Sequence, residues 1–258
     1  MTSIEIIMEM PSLYTVSLSV DQGVATLTLL QHTLSLLQVR EIDWCLNHLE
    51  NSTGPLCLVT RARGVELLRG PYPGEDQTRG GGVELLRGPY EICDFLSEFS
   101  RLIGRVLQLS FPSVVVLEGG IKGCWVSFVM AHDVRIWLNS ESKIEFFEHN
   151  SGVGLPRNLA APLLAKLPPR ALRDLGLIGL SLCVREAKAS GLVDFLAENI
   201  GDLETEVQRV ALELAEFGGK RAAYRAIKTS LYKEYIEMTR RVMEEESWEA
   251  LKQFHIKL

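Results

Sequence analysis

The chain has 258 residues and a formal net charge of −6, with 47% hydrophobic and 23% charged residues. This balance is that of a folded globular protein and excludes a disordered chain, and the length allows one large domain or a core with an appendage. The acidic balance disfavours a nucleic-acid partner. The five scattered cysteines form no Cys-x-x-Cys pair, which indicates a reducing compartment and no metal framework. We see no signal-peptide pattern and no apolar run of about 18 residues, so we expect a cytoplasmic protein without a membrane span.

The first sixty residues alternate between strand and helix patterns. Two β-rich alternating segments within residues 13–30 flank the turn signal Asp21-Gln22-Gly23 and predict a hairpin. Apolar residues at helical spacing predict a helix over 38–50. The apolar run 56–60 predicts a buried strand, so the order is β-β-α-β.

A nine-residue segment then occurs twice. The sequence GVELLRGPY at residues 64–72 recurs unchanged at 82–90, with a period of 18 residues. Two copies are too few for a solenoid. We interpret them as a local duplication that lengthens one surface loop, where insertions are tolerated. The sequence does not decide between the two copies as the one nearer to a functional site.

The order of the elements predicted for residues 111–156 indicates a functional site. A strong amphipathic helix at 91–109 leads into an apolar β-branched strand at 114–117, which stops at Gly119-Gly120. After Gly123 come a short apolar helix at 124–131 and a second strand at 134–138. A helix that begins directly after a glycine turn presents N–H groups suited to a developing negative charge. The stretch closes on a lone carboxylate, Glu148, and another glycine loop.

The last hundred residues predict mainly helices. We expect helices at 159–167, 171–180, 184–191 and 203–217, the last capped by Asp202, and a long charged helix at 220–254. The apolar positions of this last helix are expected to form one stripe: Ile227, Leu231, Tyr235, Met238, Val242, Trp248 and Leu251. Such a helix packs against its own domain or against a neighbouring subunit.

Two motifs carry a family resemblance. The first begins at Phe111-Pro112, has Glu118-Gly119 where the family has Asn-Gly, and continues with AHDVRI at 131–136, similar to Ala-Cys-Asp-x-Arg-Ile. The second is SLCVREAKASGLV at 181–193. With the repeated ββα order, these motifs resemble the crotonase (enoyl-CoA hydratase/isomerase) superfamily. The resemblance implies an α/β fold of crotonase-like repeated ββα units at 1–195, including the duplicated loop 61–90, and a helical C-terminal oligomerisation segment at 196–258.

The resemblance also implies an oxyanion hole, made by two backbone N–H groups that hold a thioester enolate. One donor falls on the N–H of Cys124, with Gly123 and Trp125 on either side of it as substrate-binding residues. The other falls on the N–H of Leu68, or of Leu86 if the second copy of the repeat occupies the site. Family members have small residues beside the helix start and in this loop, so the two Leu residues and Trp125 are departures.

The family's hydratases use two glutamates, since adding water to a double bond needs an activated water and a proton donor. Ser127 stands at the first of these positions and Glu148 at the second. One carboxylate is enough for an isomerase, and apolar neighbours are expected to raise the pKa of Glu148. Structural roles remain the alternatives for Glu148 and, more strongly, for His132 and His149. Lys122 and Arg69, or Arg87 in the second copy of the repeat, are expected either to meet the phosphates of a carrier or to be solvated charges.

Three functions follow from the resemblance. The first is isomerisation of an enoyl-CoA double bond through an enolate, with Glu148 moving the proton. The second is dehydration or decarboxylation of polyketide β-branching intermediates on a carrier protein. The third is a non-catalytic crotonase-like partner subunit, favoured by the departures above and by Gln31-His32-Thr33 in place of the family's Asn-Ala segment. We expect no cofactor beyond the coenzyme A or phosphopantetheine of an acyl-CoA or acyl-carrier-protein substrate, no metal, and a homotrimer or hexamer.

Overall fold

Ten strands in two sheets and eight helices make up the part of the chain that the structure, a computed structural model, describes: residues 13–31, 34–54, 56–62, 67–68, 89–146 and 154–240. The strands are β1 (Val16–Asp21), β2 (Val24–Leu29), β3 (Cys57–Arg61), β4 (Leu67–Leu68), β5 (Ser113–Leu117), β6 (Gly120–Lys122), β7 (Val134–Leu138), β8 (Lys143–Glu145), β9 (Leu182–Cys183) and β10 (Phe195–Ala197). The helices are α1 (Leu36–Asn51), α2 (Pro89–Leu107), α3 (Trp125–Ala131), α4 (Arg157–Lys166), α5 (Pro169–Leu172), α6 (Val184–Ala189), α7 (Ile200–Gly218) and α8 (Arg221–Arg240).

The large sheet has the order β1-β2-β3-β5-β7-β10 and the small sheet the order β4-β6-β8-β9. The hairpin β1–β2 is antiparallel, as predicted, and every later pair of the large sheet is parallel. Each of the units β3-β4-α2, β5-β6-α3 and β7-β8-α4 gives its first strand to the large sheet and its second to the small sheet. The predicted repeat of ββα units is therefore confirmed.

The central strands of the large sheet are buried on both faces, since successive side chains point to opposite sides. Leu58, Val115 and Leu117 face the main apolar core, to which α1, α2 and α3 contribute. Val59, Val114 and Val116 face the second core, which α7 covers. This double cover explains why β3 and β5 are continuous apolar runs in the sequence.

A buried charge joins the C-terminal helix to this sheet. The carboxylate of Asp133, just before β7, accepts hydrogen bonds from the Ser113 N–H and Oγ and from the Tyr224 hydroxyl of α8. Lys228 of α8 places its Nζ 3.0 Å from the same carboxylate and donates to the Val106 carbonyl at 3.2 Å. Burial would raise the pKa of Asp133, but the charges of Lys228 and Lys166 outweigh it and hold that pKa below its usual range.

Two local predictions were wrong. The helix expected at 171–180 is replaced by the four-residue α5 and a wide helical turn, Arg173–Leu177, in a segment that contains Gly176 and Gly179. The cap of α7 is Asn199, whose Oδ1 accepts the Asp202 N–H at 3.0 Å, so Asp202 lies in the first turn.

The described part of the predicted apolar stripe of the last helix faces outward at its first two positions. Ile227 and Leu231 are 59% and 65% exposed, whereas Lys228, Ile236 and Thr239 are buried. The physical reason is that Lys228 has a charged partner inside the core, so α8 is rotated to bring that side chain inward. The part of the predicted helix after residue 240 lies outside the described residues.

Candidate active site

A glycine turn leads the chain from β6 directly into α3. Gly123 has φ +66°, in the left-handed region that favours glycine, and its N–H donates to the Glu145 carbonyl at 2.9 Å. Cys124 follows as the N-cap residue of α3, and its carbonyl accepts the Ser127 N–H at 3.1 Å. The Cys124 side chain is fully buried. Its predicted contribution is therefore confined to the backbone.

The first copy of the repeated segment contributes a strand beside this turn. β4 is parallel to β6, with Leu67 opposite Gly120 and Leu68 opposite Ile121. Leu68 thus ends the strand next to the one that leads into Cys124. Leu86 and Arg69, predicted as the alternative donor and as a phosphate contact, lie outside the described residues.

The strand on the other side of β6 leads towards the predicted carboxylate. β8 is also parallel to β6, with Ile121 opposite Ile144 and Lys122 opposite Glu145. Glu148 itself lies outside the described residues, three positions after β8 ends. The carboxyl ends of parallel strands meet at one edge of a sheet, and Leu68, Cys124 and Glu148 end or follow β4, β6 and β8.

Trp125 is placed inside the core. Its ring is fully buried and packs edge-on against Phe99 and Phe128, at centroid distances of 6.4 and 5.4 Å. It also borders a small cavity above Val115 and Leu117 that has room for about one water molecule. The predicted contact of Trp125 with a substrate stays a prediction.

Lys122 lies at the rim of the same edge. Its Nζ is 3.5 Å from the Glu145 carboxylate, and both side chains are about one third exposed (34% and 38%). Glu145 also accepts a hydrogen bond from the Ser181 hydroxyl at 2.8 Å. A contact of Lys122 with a carrier phosphate stays a prediction.

The structure gives His132 a role in the core rather than in acid–base chemistry. Its ring is fully buried, with Nδ1 donating to the Phe128 carbonyl at 3.0 Å and Nε2 accepting from the Thr60 hydroxyl at 2.9 Å. The Nδ1 tautomer follows from the carbonyl, which only accepts. Burial lowers the pKa of His132 to about 3, so the ring is neutral. His149 lies outside the described residues.

Two buried polar groups beside this region have no hydrogen-bond partner within the described part of the chain. They are the Oγ of Ser127 on α3 and the Nδ2 of Asn158 on α4. Asn158 belongs to none of the motifs found in the sequence, and Ser127 was noted only because it stands where the family's hydratases have a glutamate. Neither residue stands out in sequence, because burial and lack of a partner are properties of the folded chain.

The described part of the chain shows neither a metal-binding cluster nor a membrane span. No three His, Cys, Asp or Glu side chains among them are grouped so that they could hold a metal ion. No helix in this part of the chain is long and apolar enough to cross a membrane.

Comparison with known proteins gives two sequence relatives, while no family model matches. Enoyl-CoA delta isomerase 3 of Arabidopsis thaliana is 27% identical over 147 residues, which cover 55% of this chain and 61% of that protein. Enoyl-CoA isomerase/hydratase fer4 of Mycosarcoma maydis is 28% identical over 109 residues, covering 42% of this chain and 39% of that protein. The chain therefore spans less than two thirds of either relative.

Similarity to solved structures extends over nearly the whole chain. An enoyl-CoA hydratase/isomerase family protein from Pseudomonas syringae matches with a TM-score of 0.76 at 18% identity, covering 92% of this chain and 98% of that one. A protein named as a polyketide biosynthesis enoyl-CoA hydratase, from Bacillus subtilis, matches with a TM-score of 0.69 at 16% identity, covering 94% and 92%. The chain has the crotonase fold, and over part of its length its sequence is similar to proteins named as enoyl-CoA isomerases and hydratases.

Proposed function

We infer that the protein isomerises the double bond of an enoyl-CoA thioester through an enolate. The observation that carries this proposal is that β4, β6 and β8 run parallel in the small sheet, which brings the end of β4 at Leu68 to the same edge as the start of α3 at Cys124. Glu148 follows β8 by three positions in the sequence. Two backbone donors and one carboxylate are what enolate isomerisation requires. The names of the two sequence relatives support the same chemistry.

The proposed reaction moves one proton and no other atom. The Glu148 carboxylate takes a proton from C2 of a 3-enoyl thioester, and the electron pair of that C–H bond passes into the thioester carbonyl. The N–H groups of Cys124 and Leu68 donate to the resulting enolate oxygen. When the enolate collapses, its electrons form a double bond between C2 and C3. The electron pair of the former C3–C4 double bond then takes the proton from Glu148, so that C4 becomes protonated.

Ser127, at the position of the first hydratase glutamate, favours isomerisation over hydration. Ser127 is a hydroxyl whose ordinary pKa lies far above neutrality, so it does not activate water without a neighbouring base. The buried neutral His132, held by Phe128 and Thr60, does not supply that base. A single carboxylate suffices when the proton that leaves is also the proton that returns.

No cofactor enters this reaction, because coenzyme A is part of the substrate. Lys122 is proposed to meet the phosphates of the carrier. By resemblance we propose a homotrimer or hexamer as the working assembly. The exposed side chains of Ile227 and Leu231 on α8 and of Leu177 after α5 provide apolar surface that such an assembly would cover.

The experiment is an absorbance assay for conversion of trans-3-hexenoyl-CoA to trans-2-hexenoyl-CoA, with calorimetric titration of the same thioester. Turnover supports the proposal. Binding without turnover contradicts isomerisation and redirects the search to another thioester reaction.

A second candidate is dehydration or decarboxylation of an acyl group held on a carrier protein, which the similarity to the B. subtilis protein favours. It predicts turnover with phosphopantetheinyl-protein substrates and none with free acyl-CoA. A non-catalytic partner subunit is the third, and it predicts that neither substrate class is turned over.

A further inference from the structure

Two charged side chains end the apolar rows of β3 and β5 on the face of the large sheet that α7 covers. Side chains two positions apart in a strand share a face, so Arg61 is the next residue after Val59 in its row. Glu118 likewise follows Val116, directly after the end of β5. The Arg61 side chain is 5% exposed and that of Glu118 is 14% exposed. Charged side chains are rarely buried to this extent unless they are paired.

The Arg61 guanidinium joins these two strands beyond the point where their backbone pairing ends. The register of β3 and β5 ends with Arg61 opposite Val116. From there Nη2 donates to a Glu118 carboxylate oxygen at 2.9 Å. The same guanidinium donates to both carboxylate oxygens of Glu204 in α7, from Nη1 at 2.9 Å and from Nη2 at 2.8 Å. Arg61 therefore links the ends of two neighbouring strands to the helix that covers them.

The chain changes from the large sheet to the small sheet at Gly119, directly after Glu118. β5 has ended before this residue, and β6 begins immediately after it. On the other side of β5, the fully buried Trp137 of β7 donates from its Nε1 to the Gly119 carbonyl at 2.9 Å. The change of sheet is thus held from both neighbouring strands, by β3 through Arg61 and by β7 through Trp137.

Both strands that Arg61 joins lead to a proposed oxyanion donor. β5 continues through β6 to Cys124, six positions after Glu118, and β3 continues to β4 and Leu68, seven positions after Arg61. β4 and β6 pair side by side. The spacing of the two N–H groups therefore depends on how the chain leaves the ends of β3 and β5. Such donors are effective only at about 2.7–3.1 Å from the enolate oxygen, so a small displacement weakens its stabilisation.

We propose that the Arg61–Glu118 ion pair sets the geometry of the oxyanion hole, so that Arg61 and Glu118 are positioning residues of the reaction. The family that this chain resembles has Asn at the position of Glu118. A carboxylate holds a guanidinium by a charge-assisted hydrogen bond, about twice as strong as one between neutral groups. The inference rests on the proposed function, because it concerns the donors of that reaction.

The test compares two variants of the Arg61 partners in the 3-hexenoyl-CoA assay. Glu118→Met removes the carboxylate that precedes β6, and the matched control Glu204→Met removes the carboxylate on α7. Each variant takes one carboxylate from Arg61, so both are expected to lower the melting temperature. Only Glu118→Met is expected to lower kcat, by about tenfold to a hundredfold, because displaced donors lose most in the transition state. Its KM is expected to stay within about threefold of the wild-type value.

Glu118→Gln supplies a graded readout. It keeps an acceptor oxygen for Arg61 and removes the charge, so its kcat is expected to lie between those of the wild type and Glu118→Met. If Glu118→Met does not fold, the comparison is made between Glu118→Gln and Glu204→Gln, and equal kcat values for these two overturn the inference.

Three results overturn the inference while leaving the proposed function intact. They are a wild-type kcat in Glu118→Met, equal losses of kcat in Glu118→Met and Glu204→Met, and an effect of Glu118→Met on KM alone. Equal losses would assign the ion pair to stability only. Absence of turnover by the wild type contradicts the proposed function and this inference together.

Discussion

The ion pair between Lys228 and Asp133 is expected to hold α8 on the core, and Lys228→Met tests this. Methionine keeps most of the aliphatic side chain and removes the Nζ that lies 3.0 Å from the carboxylate. The two side chains are 5% and 16% exposed, so the variant leaves a buried charge without its nearest counter-charge. The Val106 carbonyl loses a donor as well.

The magnitude follows from what remains around Asp133. Removal of one partner of a buried ion pair costs about 3–5 kcal/mol. The Ser113 N–H and Oγ and the Tyr224 hydroxyl still donate to the carboxylate, so we expect the lower end, about 3 kcal/mol. For a chain of this size that loss lowers the melting temperature by about 6–12 °C.

Urea unfolding of the wild type, Lys228→Met, Asp133→Asn and the double variant measures the effect. The double variant is expected to lose less than the sum of the single losses, because it leaves no unpaired charge. A loss below about 1 kcal/mol in Lys228→Met, or strictly additive losses, would refute the reasoning.

Two further predictions concern packing and pH. Gly218→Ala is expected to destabilise the protein by about 1–3 kcal/mol in urea unfolding, since its Cβ would lie 1.9 Å from the Leu56 carbonyl oxygen. The control is Gly176→Ala, whose Cβ meets nothing within 4 Å, and it is expected to be neutral or stabilising. Equal effects of the two substitutions would contradict this prediction. Burial lowers the pKa of Lys166 to about 7, so between pH 7 and about 10.5 the unfolded chain binds a proton that the folded one lacks, and stability from this group rises with pH. The melting temperature of the wild type minus that of Lys166→Met is therefore expected to increase from pH 7 to 9, and a constant value would contradict the shifted pKa. The buried Cys45 and Cys57 thiols, with pKa values raised to about 12, make stability fall with pH, but they do so equally in both proteins and leave this difference unchanged.

The parts of the fold that the sequence predicts are those with a local pattern. The β1–β2 hairpin, α1, α2 and the strands β3, β5 and β7 were all predicted, because each carries an alternating, helical or continuous apolar period. The strands of the small sheet have two or three residues each and were missed, since so short a segment shows no period. They are nevertheless the strands that lead into the candidate site, since β4 ends at Leu68 and β6 precedes the helix start at Cys124.

The rest of the site depends on contacts between distant parts of the chain. The helix start at Cys124 was predicted because a glycine turn before a helix is visible in sequence, whereas the role of its N–H comes from the resemblance and stays a prediction. The inward face of α8 was not predicted, because Lys228 is buried through its ion pair with Asp133, which lies 95 positions earlier in the chain.

The measurement that tests the central claim most directly is the rate of 3-hexenoyl-CoA isomerisation by Glu148→Gln at saturating substrate. As the proposed single proton carrier, Glu148 is expected to account for a loss in kcat of at least about a thousandfold, with thioester binding and unfolding free energy unchanged. The exposed Glu141→Gln serves as the matched control and is expected to keep the wild-type rate. Turnover by Glu148→Gln at the rate of the control would contradict the account.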